Sequence, residues 1–531
     1  MLTPHPREKE STVPAPVSAT SAPIVVIGGG VTGLATAGLC ARAGYSVTLV
    51  EKLTGLGGRV GTFTSGDYRW DTGPSWWLMP EAYDHYFSLM GTSTEAELDL
   101  HRLDPAYRVV TDSFPTVDVR TGMENVVALA ESVERGAGEK LRAYLEEASL
   151  TYRVALTTFL YTTFTSIKPF LDREILTRIP LLIRLLTRSL KDDVESQFNN
   201  PILRMLLEYP AVFVATRPDR APSMYKLLSH TDLIAGVAYP QGGYYQLIRK
   251  MAELATASGA TLRTGCTVTR ILTEDATVTG VRVTHDGTEE TIPAAIVVST
   301  ADLHHTETSL LPRRLRSVRS WSRKDPGISS IVALLGVADP LPTLAHHTLS
   351  LSDDWSPDFA AISGKRPGQE FSRSVYVCKA SATDPTLAPE GHSNIFILIP
   401  TVADPHIGRG SAYNDAPSPR VEDIVDEVID IVARRADAPA LKTKVEKRFT
   451  IGPADFARRY NSWQASSIGL AHTLWQSAFL RGSNASSKVA GLYFAGGTTV
   501  PGVGVPLCLI SAENVLKRLR GDSTSGPLPY A

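Results

Sequence analysis

Ile24-Val25-Val26-Ile27, followed at once by Gly28-Gly29-Gly30-Val31-Thr32-Gly33, leaves this chain few ways to begin folding. Four consecutive β-branched residues suit a strand buried on both faces, as in the middle of a parallel sheet. The glycines keep GxGxxG spacing at Gly28, Gly30 and Gly33, and LATAGLCARAGY continues as a helix that stops at Gly44. SVTLVEK then reads as a second strand ending in Glu51. In such a unit Gly28 makes the tight turn, Gly30 lets backbone approach a pyrophosphate, and Gly33 lets the helix pack close to the strand. Val31 and Thr32 open the helix, whose free N–H groups face the phosphates. Glu51 is placed to accept hydrogen bonds from a ribose, with Lys52 beside it.

The next stretch separates a flavin from a nicotinamide. KLTGLGGRVGTF puts Gly57, Gly58 and Arg59 just after the ribose-binding acid. The glycines let backbone pass close to a ligand, and Arg59 can set a guanidinium against pyrophosphate charge. A plain nicotinamide dehydrogenase has no need of this. Asp71-Thr72-Gly73-Pro74 is a further tight turn, in which Asp71, Gly73 and Pro74 are expected beside the ligand. No GxxxxGKS/T loop occurs, which excludes an ATP-hydrolysing P-loop. The expected cofactor is FAD.

Far along the chain, Phe494 to Val515 reads FAGGTTVPGVGVPLCLISAENV: a strand, a glycine-dense turn and a closing helix. A helix N-terminus supplies positive potential, which an isoalloxazine ring needs at its carbonyl edge. Gly496, Gly497, Gly504 and Val505 are therefore expected beside the flavin. Residues from Gly236 to about 301 return the chain to the nucleotide-binding sheet through a strand meander with an Asp286-Gly287 hairpin turn. The backbone near Val268 is expected at the adenine end.

These segments imply an α/β fold: a Rossmann-like, glutathione-reductase-like FAD domain with an inserted mixed-sheet substrate domain and a helical, membrane-facing subdomain. The expected boundaries are a disordered tail over 1–22, FAD-domain parts over 23–90, 236–305 and 456–531, a helical membrane-facing region over 91–235, and a mixed sheet over 306–455. Within the helical region, Leu171 to Leu190 alternates apolar residues at helical spacing with Arg173, Arg178, Arg184 and Arg188, and Lys191 follows. Such a basic amphipathic helix suits a membrane interface, the alternative being an ordinary helix that packs on its own core with solvated arginines. The first 22 residues are polar and rich in proline and serine, without the apolar core of a secretory signal.

Composition excludes several functions. Among 531 residues, 53 basic against 55 acidic side chains give a net charge of −2, so no global field draws in nucleic acid. Four scattered cysteines, Cys40, Cys266, Cys378 and Cys508, form no CxxC pair and read as buried small hydrophobes. His304-His305 and His346-His347 are adjacent, not at the i, i+4 spacing of a helix-borne metal pair, so no metal is expected. They read as exposed or hydrogen-bonding histidines.

Together VVIGGGVTGLATA, EKLTGLGGRVGTF, WDTGP, LDPAYRV, AYPQGG, LAHHT, SATDPTLAPEG and AGGTTVPGVGVPLCLIS resemble the bacterial and fungal phytoene desaturases, within the wider amine-oxidase-like flavoproteins. The resemblance spans nearly the whole chain after Pro23. It implies FAD-dependent removal of hydrogen pairs from an acyclic C40 carotene such as phytoene, with hydride passing to flavin N5. It also implies peripheral docking on the cytoplasmic side of a membrane, because the substrate is dissolved in lipid. The final electron acceptor, oxygen or a quinone, stays open. Val500 stands where such enzymes commonly have a histidine, which leaves substrate range and step number open. A carotenoid isomerase or apocarotenoid oxidase on the same scaffold, or an amine oxidase, are the alternatives. No residue stands out as a catalytic acid or base. A hydrocarbon offers no charge to anchor, so its site is built of apolar residues that look like core. Trp76, Trp77 and Tyr239 are candidates for that wall.

Overall fold

The computed structural model describes residues 22–166, 177–318, 320–365, 368–477 and 480–529. The expected tail lies outside these residues except for Ala22, as do residues 171–176 of the basic amphipathic stretch.

A five-stranded parallel sheet organises the cofactor half. Its order is Leu492–Phe494, Ile296–Ser299, Ile24–Ile27, Val47–Val50, Thr261–Arg263. Ile24 pairs with Ile296 on one side and Val47 on the other, so the β-branched run is central and all four of its residues are buried. Helix Val31–Arg42 packs against helices Tyr245–Ala257 and Val505–Leu519. Leu34, Leu39, Leu247, Met251 and Leu509 fill the space between, each contributing ~1.5–3 kcal/mol of burial. The meander Cys266–Glu274, Thr277–His285, Thr288–Pro293 is antiparallel, and Asp286 and Gly287 both take the positive φ of its two-residue turn.

A second sheet has seven strands, in the order Val445–Ile451, Ile328–Val337, Ser393–Val402, Val375–Cys378, His347–Ser350, Tyr107–Val110, Val117–Val119. Neighbours are antiparallel, except that His347–Ser350 pairs in parallel with Tyr107–Val110. Strand period explains its two faces. Ile331, Ala333 and Leu335 pack under helix Pro419–Arg435 through Val421, Ile424, Val425 and Val428. The alternate residues Ile328, Ser330 and Val332 line an internal cavity. The last two strands come from a stretch that reads mostly as helical. They form because Tyr107, Val109 and Val110 find a buried edge to join.

Helices Met123–Val133, Ala137–Val154, Ile179–Thr187, Leu190–Glu195 and Pro201–Glu208 make up much of the rest of that region. Among the described residues, no helix is long and apolar enough to cross a membrane.

Candidate active site

One continuous cavity of about 550 Å³ joins the two sheets. Its wall includes Gly28, Gly30, Val31, Thr32, Glu51, Lys52, Gly57, Gly58, Arg59, Gly73, Pro74, Val268, Gly496, Gly497, Gly504 and Val505, residues the sequence assigns to the cofactor. Stretches more than 400 residues apart therefore meet at one place. Of the remaining two, Gly33 lies beneath the loop: a Cβ there would meet Gly28 O at 1.8 Å. That is the close helix–strand packing expected of it.

Asp71 requires correction. It does not face this cavity; its carboxylate accepts from the backbone N–H of Tyr244 (2.6 Å) and Tyr245 (3.3 Å), at the start of helix Tyr245–Ala257. Burial pushes its carboxyl up to about 6 against those hydrogen bonds. Asp71 thus positions the start of that helix. Lys52 lines the cavity, but its ammonium donates to Arg458 O (2.8 Å) and Asn461 Oδ1 (3.1 Å), tying down the rim.

The residues present fit FAD. Glu51 accepts from Gly29 N–H (2.6 Å) and Leu53 N–H (2.8 Å), fixing the loop against the end of the second strand. A Cβ at Gly30 would meet no protein atom nearer than 3.7 Å, so the room above it is a cradle, not packing. Arg59 is held by Ser462 Oγ (2.6 Å) and lies 5.7 Å from the Tyr460 ring centroid, on the cavity wall. Helix Val505–Leu519 begins at the cavity, its free N–H groups supplying the expected positive potential. Bound here, FAD supplies a two-electron hydride acceptor.

Sequence reasoning missed Arg481. It is entirely buried and donates to Thr499 O (3.1 Å), Gln476 O (2.9 Å), Leu470 O (3.0 Å) and Gly497 O (2.5 Å). One guanidinium thereby fixes the glycine segment that forms the second half of the cofactor wall. Asp302, also on the wall, accepts from His304 N–H (2.9 Å) and holds the turn after the sheet strand Ile296–Ser299. A single arginine among polar loop residues carries no local pattern that would have marked it.

The rest of the wall is apolar and aromatic, with Trp76, Phe213, Leu349, Trp355, Phe359 and Leu398 among its residues. Asp358 is also there, but its carboxylate is taken up by Arg373 N–H (2.8 Å) and Ser374 Oγ (2.6 Å). The tryptophan candidates part company: Trp76 lines the cavity, whereas Trp77 is core, stacked 3.8 Å from Tyr83. Tyr239 borders a separate void of about 20 Å³. Cys40, Cys266 and Cys378 are buried as expected; Cys508 is only half-buried, and it and Cys266 face the cavity.

His346 and His347 are not exposed. Each has its Nδ1 at 2.7 Å from a hydroxyl, Thr383 Oγ1 for His346 and Tyr376 Oη for His347. Burial holds both rings neutral, pushing His346 down to about 3 and His347 well below the usual range. Cys378 pairs with His347 across the strands, bringing the three buried groups within 4.8 Å of one another. His304 stacks on Trp463 at 5.5 Å, and His305 lies on the cofactor wall.

Comparison with known proteins agrees with this geometry. Residues 31–517 match the family described as flavin containing amine oxidoreductase. A carotenoid 3,4-desaturase of Haloarcula japonica is 35% identical over 502 residues, covering 94% of this chain and 98% of that protein. A zeta-carotene-forming phytoene desaturase of Myxococcus xanthus is 30% identical over 500 residues, 93% of each chain. Among solved structures, an oxidoreductase from Methanosarcina mazei has TM-score 0.59 at 15% identity, covering 93% of this chain and 100% of that one. Putrescine oxidase bound to putrescine has TM-score 0.57 at 14% identity, covering 94% and 99%. At those identities the likeness concerns the fold alone. With the cradle, the ribose-side acid and the helix N-terminus all on one cavity wall, the chain belongs to the flavin-containing amine oxidoreductases, has carotenoid desaturases among its sequence relatives, and is an FAD-dependent oxidoreductase.

Proposed function

We propose that the protein desaturates an acyclic C40 carotene, converting phytoene to more conjugated carotenes such as neurosporene and lycopene. The observation that carries this reading is the continuity of the cavity: the cofactor wall runs into an apolar wall whose carboxylate, Asp358, is already hydrogen-bonded. That carboxylate already serves two donors, Arg373 N–H and Ser374 Oγ, which leaves it less available as a partner to an ammonium substrate. A long hydrocarbon needs none, since burial alone yields ~25 cal/mol per Å². The relative at 35% identity, named a 3,4-desaturase, favours a second reading in which the 3,4 bond of a carotenoid is the target. Expression in hosts accumulating phytoene, and separately lycopene, distinguishes the two. New polyene bands from phytoene support the first reading, and a red shift only in the lycopene host supports the second. Unchanged pigment in both hosts, with FAD-loaded protein present, contradicts carotenoid desaturation.

The same reading places the protein on the cytoplasmic face of a membrane. Helix Ile179–Thr187 exposes Ile179, Ile183 and Leu186 at 42, 56 and 37%. Its arginine and the one that follows it differ from the sequence expectation: Arg184 pairs with Glu147, and Arg188 lies 3.3 Å from the buried Asp193. Apolar insertion, more than arginine–phosphate attraction, therefore drives the docking. Ile183→Glu with Leu186→Glu is expected to weaken co-sedimentation with lipid vesicles by roughly tenfold or more, from ~1.5–3 kcal/mol per side chain. Undiminished sedimentation would remove this helix from the contact.

A further inference from the structure

Desaturation removes a hydride and a proton, and a row of hydrogen-bonded side chains, Ser75, Tyr376 and His347, borders the cavity. The chain runs from Gly73 and Pro74, on the cofactor wall, straight into Ser75 and Trp76, and all four residues line the cavity. Ser75 Oγ lies 2.6 Å from Tyr376 Oη, which is itself on the wall. Tyr376 Oη lies 2.7 Å from His347 Nδ1, and the His347 ring stacks on Trp76 at 4.7 Å and 14°. His347 is fully buried, and its Nε2 has no hydrogen-bond partner among the described residues. A phenol facing an apolar cavity is thus backed by an imidazole that water does not reach.

Given the carotene reading, we propose that Tyr376 is the group that takes the substrate proton and that His347 stores it. The carotene loses a hydride from one carbon, both electrons leaving with it to the flavin, and a proton from the neighbouring carbon. The electron pair of the second C–H bond becomes the new double bond. As Tyr376 Oη accepts that proton, its own passes to His347 Nδ1, so the phenol is regenerated and the imidazole ends as imidazolium. When the product leaves, the proton returns from His347 Nδ1 through Tyr376 Oη to water entering the emptied cavity, which resets the pair. A C–H beside a carbon that has surrendered hydride is strongly acidic, so a weakly basic, desolvated imidazole suffices.

Among the other phenols on the wall, Tyr244, Tyr460 and Tyr209, the last lies among the same aromatic residues as Trp76 and is a competitor. Tyr209 donates to Asp232, which also accepts from Tyr107 (3.3 Å). It lacks the Ser75 link to the Gly73-Pro74 segment, and the structure assigns it to supporting the wall.

The test uses the full-length, FAD-loaded protein under anaerobic conditions, with the carotene that it desaturates in the pigment assay supplied in phosphatidylcholine vesicles. Tyr376→Phe and His347→Gln are each expected to slow single-turnover formation of the new polyene band about a hundredfold or more, with FAD content unchanged. In both, deuterium at the carbon that gives up the proton should produce a larger isotope effect than in the wild type, a signature that a packing defect would not create. Tyr209→Phe, a change on the cavity wall, should keep the wild-type isotope effect whatever its rate. If Tyr376→Phe fails to load FAD, His347→Gln carries the test, because glutamine keeps a hydrogen-bond acceptor but cannot store a proton. Wild-type rates in both Tyr376→Phe and His347→Gln, or a loss confined to Tyr209→Phe, overturn the relay and leave the carotene reading standing. A wild-type protein that oxidises no carotene overturns both.

Discussion

Alanine in place of Gly33 is expected to weaken FAD binding by up to roughly a hundredfold. Its Cβ would sit 1.8 Å from Gly28 O and 3.1 Å from Thr300 Oγ1. A clash with backbone cannot be relieved by a rotamer change, so the phosphate loop itself must move. Overpacking of this kind costs ~1–3 kcal/mol, and at the upper end FAD affinity falls roughly a hundredfold. Gly30→Leu separates binding from folding. Gly30 has an ordinary φ of −77°, and its Cβ would meet nothing nearer than 3.7 Å. The apoprotein should therefore melt as the wild type does, while the leucine occupies the cradle and excludes the cofactor. Flavin-to-protein ratios and apoprotein melting curves check both. Full flavin content in Gly33→Ala would contradict the role given to the loop.

Arg481→Ala should be the most destabilising change near the site. Desolvation lowers the guanidinium pKa only to about 10, so it is charged at neutral pH and serves four backbone carbonyls at once. Hydrogen bonds from a charged donor contribute ~1.5–3 kcal/mol each, though not additively, so a loss of about 4 kcal/mol or more is expected. Arg481→Lys should restore little, because an ammonium has three donors and no planar fork. Urea midpoints give the stability, and flavin fluorescence gives the release of FAD caused by movement of Gly497. A variant as stable as the wild type would mean that the glycine segment holds its shape unaided.

What the sequence discloses here is what local spacing can encode. The β-branched run at Ile24–Ile27, the GxGxxG loop and the Asp286-Gly287 turn each depend on a few consecutive residues, and each takes its expected form. The glycines at 496, 497 and 504, expected together from one local stretch, do line one cavity. Asp71 was not, because its partners, the N–H groups of Tyr244 and Tyr245, lie more than 170 residues away. Nor was the split between Trp76 and Trp77, which adjacent indoles conceal: one turns to the cavity and one to the core. The arginines of the Ile179–Thr187 region look free in sequence, and only the fold brings Glu147 and Asp193 to them. Tyr376 and His347 are likewise joined only when their two strands pair.

The most direct test of the central claim is anaerobic mixing of the purified, FAD-loaded protein with phytoene in phosphatidylcholine vesicles, following the flavin and polyene absorption together. The account predicts that oxidised-flavin absorbance is bleached as conjugated polyene bands appear, one flavin reduced for each double bond formed. Oxidised flavin that persists beside unchanged phytoene, and likewise beside lycopene, while a polar amine bleaches it, would contradict the account and return the protein to amine oxidation.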